Sequence, residues 1–281
     1  MPLVTTREIV DQARAAARGA GAFNVICLEH AEGIVAGAEA AAAPVILQIS
    51  ENAVRFHGRR VRPIALAAAA VAETAAVAVS LHLDHVEEPE LLHQAAGAGF
   101  SSAMFDASKL DYAGNVAATR TAATWAHAHD LWLEAELGEI GGKEGAHAPG
   151  VRTQPGEAAD FVARTGVDAL AVAVGSTHAM TTQSARLDHE LIAALRDAVS
   201  VPLVLHGSSG VADDELRQAV GQGIIKINVG TSLNVAYTAA VRDVLAAQPQ
   251  VVDPRKYLAP ARDQIAEVVE RVLRALTAPG R

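Results

Sequence analysis

PLVLHGSSGVADDELRQAVGQGIIKINV, residues 202–229, contains in one stretch the pattern that decides the fold. It opens with a short apolar run, 202–207, passes through small polar residues, continues at helical spacing and closes with a second apolar run, 224–229. Two such runs joined by a helix-length segment read as parallel strands with a crossover, because parallel neighbours cannot be linked by a tight turn. Working outward, the same unit recurs: runs at 22–26, 44–50, 80–84, 102–106, 131–137 and 169–175 precede these two. Eight strand-plus-helix units predict an α/β protein with a closed (β/α)₈ barrel, the TIM barrel architecture. An open doubly wound sheet is the rival, and the absence of a linker, hinge or low-complexity stretch favours one closed domain over residues 1–281. Segment 138–155, with Gly-Gly-Lys-Glu-Gly at 141–145, reads as the one long loop, and its composition suits a lid or a surface insertion alike. From Asp253 onward, Ile265, Val268, Val269, Val272 and Leu273 predict an added amphipathic helix that packs across the barrel or against a partner subunit.

The 281 residues, 51% of them apolar, are ample for a large core. No apolar stretch approaches bilayer-spanning length, since even the alanine-rich run 64–80 is broken by Glu73 and Thr74, and no membrane partner is expected. The opening MPLVTTRE lacks the basic and apolar blocks of a secretory signal, so the expected location is cytoplasmic. Cys27 is the only cysteine, which excludes an internal disulfide and a thiolate zinc cluster, and any metal must rest on His, Asp and Glu. A formal charge of −9 without a clustered Lys/Arg stripe argues against nucleic acid. The same charge repels sugar phosphates, so a phosphate site needs concentrated backbone N–H groups or a bound cation.

Polar residues gather at the C-terminal ends of the runs, where barrel enzymes place their sites. His85, His178 and His206 follow runs three, six and seven, and three imidazoles from separate strands suit tetrahedral zinc with a fourth position open. Any one of them alone is as readily a capping or hydrogen-bonding residue. The other eight histidines lack this placement and read as surface residues. Asp84 precedes His85 and serves either as a general acid/base or as an orienting partner of an imidazole. Asp106, Glu134 and Glu136 are carboxylates in apolar strands; the last two share a face at period two, which suits a second cation site or a structural ion pair. Gly207-Ser208-Ser209-Gly210 and Asn228-Val229-Gly230-Thr231 are small, donor-rich loops after runs seven and eight, the usual phosphate grip of a barrel, although each alone is an ordinary turn.

Six motifs then stand in order: Leu83-Asp84-His85, Met104-Phe105-Asp106-Ala107-Ser108, Glu134-Ala135-Glu136-Leu137-Gly138, Gly141-Gly142-Lys143-Glu144, Leu205-His206-Gly207-Ser208-Ser209 and Lys226-Ile227-Asn228-Val229-Gly230-Thr231. On these the chain resembles the class II, zinc-dependent fructose- and tagatose-bisphosphate aldolases, from Ala22-Phe23-Asn24 to Asp253-Pro254-Arg255. The resemblance implies Zn²⁺ on His85, His178 and His206, with Glu136 and Asp106 near an alternative inner metal position, and an additional monovalent cation. It implies that Asp84 moves the proton of the hydroxyl that becomes the aldehyde and that Glu144 exchanges the proton at the nucleophilic carbon. Asn24, Ser50, Gly175, Ala179, Gly207, Ser208, Ser209, Asn228, Val229, Gly230 and Thr231 become the substrate and phosphate positions, for a ketose phosphate cleaved to dihydroxyacetone phosphate and an aldehyde. A homodimer or homotetramer is the implied assembly. Lys226 looks like a Schiff-base nucleophile, but its counterpart in this family is not catalytic.

Two departures bear on substrate. The family has a glycine after the second zinc histidine and a lysine a few residues on, where this chain has Ala179 and the stretch to Arg186. The family also has a second arginine after Asp-Pro-Arg that reaches a neighbouring subunit's distal phosphate, and here that position is Ala259, with Arg262 three residues on. Losing a bidentate phosphate partner puts a distal phosphate in doubt. Competing readings are a non-catalytic auxiliary barrel subunit and a metal-dependent sugar-phosphate isomerase or epimerase, neither of which yields two smaller fragments.

Overall fold

A computed structural model describes residues 2–138, 151–177 and 180–277. Eight parallel strands close in sequence order: β1 (Ala20–Asn24), β2 (Val45–Ser50), β3 (Val79–Val86), β4 (Ser102–Phe105), β5 (Trp132–Leu137), β6 (Ala169–Val172), β7 (Leu203–Leu205) and β8 (Ile224–Val229). β8 pairs with β1, as in Ala22 opposite Asn228, so the sheet has no edge. The expected closed barrel is therefore present and the open-sheet rival is excluded. β6 and β7 are shorter than their apolar runs because the residues that follow, Ala173 to Ser176 and His206 to Ser208, leave the ladder to build loops.

Eleven helices accompany the strands among the described residues: α1 (Thr6–Ala15), α2 (Leu28–Ala41), α3 (Glu51–Phe56), α4 (Val61–Glu73), α5 (Pro89–Leu92), α6 (Tyr112–His127), α7 (Pro155–Thr165), α8 (His189–Ala198), α9 (Asp213–Gln222), α10 (Thr231–Ala247) and α11 (Arg255–Thr277). The two-residue period of the strands divides the core. Phe23, Leu47, Leu81, Leu133, Leu170, Leu205 and Ile227 point outward and pack under the helices. Ala22, Ile46, Trp132, Ala169, Ala171 and Val204 point inward and form a second cluster with Ile9, Val10 and Ala13 of α1, which plugs the base of the barrel. A reciprocal cap starts that plug: the Glu8 backbone N–H donates to the Thr5 hydroxyl, and the Thr5 N–H donates to the Glu8 carboxylate at 2.7 Å.

The tail helix forms as expected and lies on its own barrel, against α2, α9, α10 and β1. Buried Ala261, Ile265, Val269, Val272, Leu273 and Leu276 give it a continuous apolar stripe. Close approach needs two glycines on α2. A Cβ at Gly33 would lie 2.7 Å from the Arg262 carbonyl oxygen, and one at Gly37 would lie 2.4 Å from that of Ala266. Both obstacles are backbone and cannot turn away. The Gly19 N–H donates to the Leu276 carbonyl at 2.9 Å, which ties the helix end to the entry of β1.

Candidate functional site

The mouth of the barrel opens into a cavity of about 470 Å³ lined by Asn24, Ser50, Asp84, His85, Asn228 and the loops after β7 and β8. In a regular strand Asp84 and His85 would face opposite sides. Here His85 adopts a left-handed backbone, φ 50°, where the β3 to β4 register shifts between Leu83 and Val86. That irregularity lets two consecutive side chains line one cavity. His85 Nδ1 lies 3.0 Å from Asp106 Oδ2, and the other Asp106 oxygen accepts the Ser108 hydroxyl at 2.6 Å and its backbone N–H at 3.2 Å. Asp106 is thus fixed by its own loop while it orients the imidazole.

Further round the barrel, β5 and β7 flank β6. His206 is fully buried with Nδ1 3.0 Å from Glu136 and Nε2 2.8 Å from Glu134. Lys226 of β8, equally buried, places Nζ 2.8 Å from the second Glu134 oxygen and donates to Asn228 Oδ1 at 2.7 Å. The Asn228 amide reaches Asp84 Oδ1 at 3.4 Å. His85, Glu136 and His206 each offer a ligand atom, and these atoms lie within 4.8 Å of one another. Two imidazoles and a carboxylate at that spacing are a donor set suited to zinc.

Electrostatics follow from burial against charge. Burial opposes ionisation of Asp84, but His85, His82 and Lys226 around it win and hold its pKa below the usual carboxylate range. Burial also disfavours a charged His206, yet its hydrogen bonds to Glu134 and Glu136 push it up to about 9. Glu134 is lowered against its own burial, chiefly by Lys226. His82, inside the barrel below Asp84, is pushed down to about 3 by burial and then by Lys226, so it is neutral.

A family model described as fructose-bisphosphate aldolase class-II matches residues 4–281. The chain belongs to that family. It is 38% identical to the fructose-bisphosphate aldolase of Thermus caldophilus over 306 residues, covering 99% of both chains. It is 39% identical to the probable fructose-bisphosphate aldolase of Bacillus subtilis strain 168, over 96% of this chain and 95% of that one. Among solved structures, the YdjI aldolase of Escherichia coli K12 superposes with a TM-score of 0.83 at 32% identity, over 98% of this chain and 97% of the other. As a class II aldolase the protein is an aldehyde-lyase, in a family that is generally zinc-dependent. The auxiliary and isomerase readings lose their footing with it.

The aldolase structure brings most expected positions together. Asn24, Ser50, Gly207, Ser208, Ser209, Asn228, Gly230 and Thr231 all line the cavity. Gly207 turns the chain at φ 65° into the loop, and the Ser208 hydroxyl donates to the Asn228 carbonyl, which joins the two donor-rich loops. Ser209 accepts the Ser232 backbone N–H at 3.1 Å in the first turn of α10, whose N-cap Gly230 and first residue Thr231 line the cavity. At Gly230 the chain passes close to Asn24, and a Cβ there would lie 2.9 Å from Asn24 Oδ1.

Other positions sit apart. Val229 points into the outer apolar shell, which leaves only its backbone for the cavity. Gly175, at φ 120° under the Arg186 carbonyl, is not a cavity-lining residue. Glu144, His178 and Ala179 lie outside the described residues.

Two histidines expected at the surface are corrected. His82 is fully buried, with Nδ1 2.8 Å from Ser102 Oγ, and His30 is buried beside Cys27 and stacked on Tyr237. Period two from Asp84 would have placed His82 inside; His30 carries no comparable signal, because its burial depends on α10. Sequence reasoning also missed α3, whose Glu51, Asn52 and Arg55 line the outer cavity. Glu51 accepts the backbone N–H groups of Glu87 at 2.7 Å and Glu88 at 3.2 Å and pairs with Arg55, so it fastens the loop that follows β3. Arg262 pairs with Asp263 at 3.1 Å and Glu32 at 3.6 Å on its own subunit.

Proposed function

We propose that the protein reversibly cleaves a ketose phosphate to dihydroxyacetone phosphate and an aldehyde, with Zn²⁺ as cofactor. The observation that carries this reading is the convergence of His85, Glu136 and His206 within 4.8 Å beside Asp84 at the cavity. His85 and His206, with His178, are the metal ligands of the proposal, and Glu136 and Asp106 serve the inner metal position. When bound, the metal supplies a Lewis acid that polarises the substrate ketone. Asp84, ionised at neutral pH, takes the proton from the hydroxyl that becomes the aldehyde and returns it in condensation. Glu144 exchanges the proton at the nucleophilic carbon.

Gly207, Ser208 and Ser209, with Asn228 to Thr231 and the N-terminus of α10, hold the phosphate of dihydroxyacetone phosphate through backbone N–H groups and hydroxyls. Asn24, Ser50, Gly175 and Ala179 complete the substrate and phosphate positions, and a monovalent cation is an additional cofactor of the proposal. Ala259 removes an arginine from the distal end, which favours an aldehyde half without a phosphate. A single domain, a homodimer or homotetramer, a cytoplasmic location and no nucleic-acid or membrane partner complete the proposal. No described helix is long and apolar enough to cross a membrane.

The test is release of dihydroxyacetone phosphate from fructose and tagatose 1,6-bisphosphates and the corresponding 1-phosphates, with and without chelator. Chelator-sensitive release with preference for a 1-phosphate is expected. Zinc-loaded protein that releases nothing from any of the four refutes the proposed substrate class.

A further inference from the structure

We propose that Glu134 and Lys226 act as a buried positioning pair that dictates which nitrogen of His206 meets the metal. The inference rests on the proposed zinc site and concerns residues that touch neither substrate nor metal. A ligating imidazole must present a lone pair from one nitrogen and donate its N–H from the other, and the acceptor of that N–H sets the tautomer. Both nitrogens of His206 face carboxylates. Nδ1 faces Glu136, which together with His85 makes up the metal-competent group, whereas Nε2 faces Glu134, which lies outside that group. An ionised carboxylate only accepts, and of the two only Glu134 lies outside the metal-competent group, so with a metal held there Glu134 would keep the Nε2 proton and leave the Nδ1 lone pair for the metal.

Lys226 makes this arrangement sustainable. Glu134 is fully buried, and a buried carboxylate without a cation is costly. The ammonium sits 2.8 Å from the Glu134 oxygen that His206 does not use. Its second contact, Asn228 Oδ1 at 2.7 Å, decides which way that amide faces and so directs Nδ2 toward Asp84. One ammonium thereby fixes a metal ligand and the amide facing the proposed proton-transfer carboxylate. Lys226 does not line the cavity, and its nitrogen is held by these two partners, which explains a buried lysine in a site that needs no Schiff base.

Nitrogen-15 NMR of zinc-loaded protein labelled at histidine tests the pair without any substitution. The expected His206 signal has a protonated Nε2 and metal on Nδ1; the reverse assignment overturns the proposal. Metal competition against a chromophoric chelator and the visible spectrum of the Co²⁺-substituted protein then test the lysine. Lys226→Met should weaken metal binding by roughly 10- to 100-fold and shift the Co²⁺ bands. Adding Glu134→Gln, which removes the uncompensated charge but keeps an acceptor, should restore much of the affinity. Wild-type affinity and spectrum in folded Lys226→Met, or no recovery in the double variant, overturn the role of the lysine. None of these readouts uses substrate, so they separate a failure of this pair from a failure of the aldolase reading.

Discussion

The two ends of the barrel are built from the same eight strands and filled in opposite ways. At the base, Ile46, Trp132, Ala169 and Val204 meet the Ile9, Val10 and Ala13 side chains of α1 in an apolar plug. At the mouth, the inward positions become Asp84, Glu136, His206 and Asn228, buried but polar and linked into one network. Between them runs a hydroxyl ladder: Ser102 accepts from His82, donates to Thr6 at 2.6 Å, and Thr6 donates to Ser80 at 3.0 Å. The difference teaches that stability and chemistry are separated along the barrel axis, with the hydroxyls as the transition. Substitutions at the two ends should therefore fail differently.

The sharpest break comes at the mouth. His206→Ala should lower kcat/KM by at least ~1,000-fold, about 4 kcal/mol in the transition state, and release the metal while leaving Tm within a few degrees of wild type; steady-state assay with metal quantification reads both. Asp84→Asn keeps the metal ligands but removes the proposed proton carrier, so a loss of about 100-fold or more in kcat with full metal content is expected.

At the base the pattern inverts. Ile9→Ala opens a cavity under the plug and should cost about 2 to 4 kcal/mol in chemical denaturation, with kcat of the folded fraction unchanged. A fall in kcat instead would mean that the ends are coupled. Gly37→Ala drives a methyl into the Ala266 carbonyl and should destabilise by about 1 to 3 kcal/mol, again without touching kcat. Thr6→Val is the finest probe, because it cuts the hydroxyl ladder at its centre. About 1 to 2 kcal/mol of stability should go, and a change in kcat beyond twofold would show that the ladder transmits to His82 and Asp84.

Much of this was legible in the residues. The eight apolar runs place every strand, since parallel strands buried on both faces need continuous apolar sequence. Asp106, Glu136, His206 and the two small loops stood out because a carboxylate, imidazole or glycine pair in such a run is hard to explain by packing. The pairing of Asp84 and His85 on one cavity was not legible, because period two forbids it and only the left-handed turn at His85 allows it. The partition of Glu134 and Glu136 was also hidden. They share a face, and their different roles depend on Lys226, which lies 92 positions further along the chain from Glu134. Burial of His30 and the contribution of α3 depend likewise on contacts between remote segments.

The seam between β8 and β1, roofed by α11, carries a consequence for biosynthesis. The first strand remains an unpaired edge until the last strand has been translated, and its outer face stays uncovered until Val269, Leu273 and Leu276 have left the ribosome. Ring closure therefore waits for β8, the last strand of the barrel to be made. The nascent polypeptide passes through a stage in which an apolar strand near its N-terminus waits for its partner.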